Sequence, residues 1–110
     1  MSNGHATLYQ SILNPHNHTT AIAFDLSERS SVCLCIYNAE GQLVRRLLGR
    51  SLDAGKYTAY WDGLDEHMEP VNNGVYECCL RTDRNVSTGK LVMLSHVGKR
   101  FDIAQDSPGV

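Results

Sequence analysis

The run Ser31-Val32-Cys33-Leu34-Cys35-Ile36-Tyr37, then Asn38-Ala39-Glu40-Gly41, then Leu43-Val44-Arg45-Arg46-Leu47-Leu48, decides the fold class. Val32, Leu34 and Ile36 alternate with Cys33, Cys35 and Tyr37. A period of two places the first set on one face of a strand and the second set on the other. Asn38 and Gly41 tolerate left-handed backbone angles, so the residues between the two runs read as a tight hairpin turn. Leu43–Leu48 then returns as the partner strand. A helical turn is its rival, because Leu43, Leu47 and Leu48 also fit a period of about 3.6. The hairpin turn before it favours the strand. Arg45 and Arg46 in mid-strand point to a solvent face or an exposed edge, and so to a candidate interaction strand.

The same alternation extends in both directions. Tyr9–Leu13 is a short strand ending at Asn14-Pro15, and Thr20–Leu26 alternates Ile22, Phe24 and Leu26 with Ala21, Ala23 and Asp25. Asp53-Ala54-Gly55 turns the chain into Lys56–Asp62, where Tyr57, Ala59 and Trp61 share a face opposite Tyr60. A loop rich in Asp, Gly, Asn and Pro covers Asp62–Gly74. Val75–Arg81 alternates Tyr76, Cys78 and Leu80 with Val75, Glu77 and Cys79. Thr82–Val86 turns, and Val86–Leu94 closes the set. Roughly seven short strands separated by turn residues predict an all-β fold of two antiparallel sheets packed face to face. The inward set is Ile22, Phe24, Leu26, Val32, Leu34, Ile36, Val44, Trp61, Tyr76, Leu80 and Val92. Residues 1–8 read as a flexible segment, 9–96 as the sandwich and 97–110 as a tail.

The chain has 110 residues, 42% hydrophobic and 20% charged, with a formal net charge of -2. That size suits one domain with one core. The basic residues are scattered, which argues against a nucleic-acid partner. The longest apolar runs are too short for a membrane-spanning helix. Residues 1–13 lack the charged and apolar regions of a secretory signal, so the expectation is a cytoplasmic chain or an excised, leaderless extracellular domain.

Four cysteines fall in two tight pairs, Cys33/Cys35 and Cys78/Cys79. That is not the spread spacing of a disulfide scaffold, and free thiols in a reducing compartment are the leading expectation. Cys33, Cys35 and Cys79 all read as outward-facing. They remain candidates for a metal site or, through Cys35 and Cys79, a cross-strand disulfide. His16 and His18 share a face if extended, but solvated loop residues are the plainer reading. Asp62, Asp65 and Glu66 read as turn caps rather than a calcium loop. No glycine-flanked nucleophile and no phosphate-cradling loop is present, so neither an enzyme nor a cofactor is expected.

Four runs occur in one order: NPHNHTTAIAFDL, VCLCIYNAEGQLVRRL, LDAGKYTAYWDGLDEHMEPVNNGVYECCL and GKLVML. The order resembles the Ig-like domain of flagellar hook-capping proteins, and equally the related C-terminal domains of cargo exported by the bacterial type IX secretion system. The most specific matches are Trp61-Asp62-Gly63, Asp65, Pro70-Val71 and Asn73-Gly74-Val75-Tyr76. The resemblance implies an Ig-like sandwich and a structural or assembly role through a protein partner or self-association. Sorting for secretion is the alternative, and a small thiol or metal-binding domain the second alternative. The matched positions also have physical roles. Trp61 plugs the core and sends its indole N–H to the loop. Asp62 accepts backbone N–H groups across the turn that Gly63 permits. Gly74 lets the chain re-enter a strand. The family usually has a glycine where this chain has Met68.

Overall fold

A computed structural model describes residues 6–14 and 19–94. All regular elements in them are strands: β1 (Ala6–Leu8), β2 (Ile12–Asn14), β3 (Thr19–Leu26), β4 (Ser30–Tyr37), β5 (Leu43–Leu52), β6 (Gly55–Trp61), β7 (Gly74–Arg81) and β8 (Val86–Met93). They form two antiparallel sheets. In the first, β3 is flanked by β6 on one edge and by β1 and β2 on the other. The second runs β5-β4-β7-β8. This is an Ig-like sandwich.

The alternation explains the packing. Ile22, Phe24 and Leu26 on β3 meet Val32, Leu34 and Ile36 on β4 in one apolar cluster. Trp61, Tyr76, Cys78 and Leu80 close the same cluster. Trp61 is fully buried and meets Tyr76 edge-on, with ring centroids 5.3 Å apart. Phe24 stacks on Tyr57 at 5.4 Å.

Three expectations change. In place of the expected strand Tyr9–Leu13, the strand is Ile12–Asn14, and Ala6–Leu8, expected to be flexible, forms a separate strand before it. β1 pairs with Phe24–Leu26 and β2 with Thr19–Ala21, so both lie along one edge of β3. The link between them stays attached through Tyr9 N–H to the Ala23 carbonyl at 3.0 Å. Ala6 is buried but small, and so weak a side chain gives no alternation signal.

The inward residues of β8 are Leu91 and Met93, 4% and 1% exposed, while Val92 is 51% exposed. Register causes this. Tyr76 pairs with Leu91 and Val75 with Val92, and directly opposed residues share a face. Tyr76 is inward, so Leu91 is inward and Val92 is not. Gly89 is in the same phase. A Cβ there would stand 3.5 Å from Leu8 and 3.6 Å from the Cys78 sulfur.

The helical rival at Leu43–Leu48 is excluded, since β5 is a strand throughout. Its register against β4 shifts between Leu34 and Cys35 and again between Ile36 and Tyr37. Each shift inserts an extra β5 residue, which lets Leu47 and Leu48 both pack on the core. Two neighbouring leucines on one side of a strand imitate a helical period.

Candidate functional site

The loop from Asp62 to Asn73 is held by the conformation of its own motif. Gly63 has φ +80°, a left-handed angle that a side chain disfavours. The turn brings the Leu64 carbonyl under two donors: Trp61 Nε1–H and Arg45 Nη1–H each reach it at 3.0 Å. Asp62 Oδ1 accepts the Leu64 N–H and an Arg45 N–H, both at 3.0 Å. Further on, Asp65 Oδ1 accepts the N–H groups of His67 and Glu69 at 2.8 and 3.0 Å. The Glu69 and His67 amides hold the Asp65 carboxyl below its usual range, with partial desolvation acting against them. The Val71 N–H donates to the Gly63 carbonyl, and Leu64 bridges Pro70, so the ends of the loop close on each other. Tyr76 donates its hydroxyl to the Asn72 carbonyl at 2.7 Å. Gly74 has φ +152°, and nothing lies near the position of a Cβ there. Its need for glycine is therefore conformational, not a clash. Met68 sits at φ +64° without being a glycine.

The arginine strand is less open than its sequence implies. Arg45 spends its guanidinium on Asp62 and Leu64, and its side chain is only 22% exposed. The backbone of Arg46 donates to Glu66 Oε2 at 2.6 Å, while the Glu66 N–H donates to the Val44 carbonyl at 3.0 Å. One loop residue thus covers the β5 edge on both sides of Arg45. The sequence reads Glu66 as a turn cap, but it caps the β5 edge, whose backbone groups about twenty positions away leave no mark on spacing.

Beyond that cover, the free edges of β5 and β6 flank a cleft lined by Phe24, Leu48, Leu52, Tyr57, Ala59 and Tyr60. Tyr60 is exposed at its rim. Among the described residues, β5 pairs only with β4, and β6 only with β3.

The outer face of the second sheet carries the thiols. Cys35 and Cys79 are opposed in register on β4 and β7 and are 6% and 9% exposed. The Cys33 and Cys35 sulfurs are 3.5 Å apart. Burial, followed by the Cys33 thiol, pushes the Cys35 thiol up to about 11, and Arg46 opposes the shift. Cys78 lies on the inner face, where burial also raises its thiol. All four cysteines are free, and among the described residues no cluster of three His, Cys, Asp or Glu side chains is arranged around a metal position. His16, His18 and residues 95–110 lie outside the described residues.

The FlgD Ig-like domain family matches residues 11–85. The chain belongs to that family. Two solved structures share the fold of this FlgD Ig-like domain. One is FlgD from P. aeruginosa, with a TM-score of 0.57 and 21% identity over 84% of this chain and 75% of that one. The other is the dimeric latent PorU from Porphyromonas gingivalis, with a TM-score of 0.60 and 16% identity over 84% of this chain and 9% of that one. No curated protein matches the chain. No helix among the described residues is long and apolar enough to cross a membrane.

Proposed function

We propose that this domain is a non-catalytic assembly module that works by protein–protein contact, of the kind found at a flagellar hook cap or in another extracellular bacterial assembly. The family match over residues 11–85 carries the reading. The geometry supports it in two ways. Trp61, Asp62 and Asp65 in the family motif direct polar atoms to the backbone of the loop, which is a fold-holding use of them. The β5–β6 flank keeps two strand edges unpaired among the described residues. Light scattering over a concentration series, with pull-down from cells of the source organism, tests the proposal. A strict monomer that captures no partner sinks it.

A second reading is sorting or anchoring for secretion, and the fold shared with part of PorU favours it. Fusing the intact chain to a reporter tests this reading. A reporter that stays inside a host carrying the export machinery refutes it.

A further inference from the structure

β4 and β7 are the two central strands of their sheet, and their outer face brings three thiols together. Cys35 and Cys79 are register partners. Antiparallel partners have Cα atoms about 4.5–5.5 Å apart, inside the range of about 4.4–6.8 Å that a disulfide spans. Cys33 is the third, with its sulfur 3.5 Å from that of Cys35. Cys33 and Cys35 lie two residues apart on one strand, so their Cα atoms are separated by about 6.6 Å of rise. That is the upper limit for a disulfide, and a bond there is strained and easily reduced. Cys78 points into the core and cannot join the group.

Access is graded in the same order. Cys33 is half-buried, while Cys35 and Cys79 are buried. Arg46 on β5 is the register partner of Cys35, and Arg81 on β7 that of Cys33, so positive charge lies on both sides of the thiols. At Cys35 the Arg46 charge opposes, without overcoming, the burial that raises the thiol.

We propose that Cys33, Cys35 and Cys79 form a thiol–disulfide exchange site that accepts a low-molecular-weight disulfide such as glutathione disulfide. Its end product is a Cys35–Cys79 bond across the sheet. The Cys33 thiolate attacks the small disulfide, forming a mixed disulfide and releasing one small thiol. The Cys35 thiolate then attacks the Cys33 sulfur and releases the second small thiol. Cys79 finally attacks Cys35, which moves the bond to the unstrained pair and returns Cys33 as a thiol. In total, two protein thiols are oxidised by two electrons, and one small disulfide is reduced to two thiols. The high proton affinity of Cys35 makes its step slow at neutral pH and faster as pH rises.

The test uses the intact reduced chain, incubated with glutathione disulfide under native, mildly alkaline conditions. The expected result is loss of two hydrogens in mass with no glutathione retained, and a fall from the four free thiols to two. Tryptic digestion without reductant should then join the peptides 30–45 and 57–81. Cys33→Ser should form the same link several-fold more slowly. Cys79→Ser should leave only an adduct or a bond that weak reductants reverse, and Cys35→Ser should abolish the link. Four thiols that stay free, an adduct that never resolves, a bond to Cys78 or between chains, or a Cys33→Ser rate equal to that of the parent each overturn the proposal.

Discussion

Met68→Gly should stabilise the domain, and the expected size follows from one backbone angle. Met68 has φ +64° at the end of the turn begun by Asp65, whose carbonyl accepts the Met68 N–H at 3.0 Å. A residue with a Cβ costs about 1–2 kcal/mol in that left-handed region. Glycine removes the cost but widens the unfolded ensemble, which gives back about 0.4–1 kcal/mol. The side chain is 61% exposed, so its removal gives up little packing. The net gain is about 0.5–1 kcal/mol, which raises the melting temperature by about 2–8 °C in a domain of this size. Calorimetry or circular dichroism on the parent and three variants measures it. Met68→Asn, which tolerates the same angle, should gain part of the effect. Met68→Ala keeps the Cβ and should gain almost none. A glycine variant that melts at or below the parent, or an alanine variant that gains as much as glycine, refutes the strain argument.

Other outcomes follow from the same loop. Trp61→Ala empties the middle of the core and should cost about 3–5 kcal/mol, seen as a large drop in the urea midpoint. Glu66→Ala removes the carboxylate that accepts the Arg46 N–H on the β5 edge but keeps the backbone bond to the Val44 carbonyl, and should increase self-association in light scattering without a large loss of fold. Asp65 has a carboxyl lowered in the folded state, so its contribution is present above the unfolded value of about 3.9 and is lost as pH falls through the folded one. Asp65→Asn should therefore flatten the acid side of the stability–pH curve. On the alkaline side Cys35 is raised to about 11, so its protonated form favours the fold fully below the unfolded value, and this is lost as pH rises towards about 11. Cys35→Ser should flatten that limb.

Strand identity and the inner faces of β3, β4, β6 and β7 were legible because an apolar alternation is a direct image of a two-sided strand. The roles of Trp61 and Asp62 were legible because both act within three residues of themselves. Three things were not legible, and for related reasons. The phase of β8 is set by its pairing with β7 and not by its own side chains, since Leu91, Val92 and Met93 are all apolar. The bulges of β5 exist only relative to β4. The capture of Arg45 by Asp62 and Leu64 joins residues 17 and 19 positions apart, so a pair of arginines that reads as exposed turns out half-spent on the fold. The thiol face was legible in part. Alternation placed Cys33 and Cys35 together, but only the register with β7 sets Cys79 opposite Cys35.

The separation of β1 from β2 has a mechanical consequence. β1 and β2 hold β3 through three register pairs each, at opposite ends of it. Tension applied at the start of the chain would break the Ala6 end of β1 first and unzip the bonds one at a time, not shear them together. The short link Tyr9–Ser11 then lets β1 come away while β2 stays seated. β3 keeps its seven pairs with β6. A domain strung into an assembly by its front end could therefore pay out a short tether under load, wetting only the margin of the core that Ala6 and Leu8 cover, and rewind it afterwards.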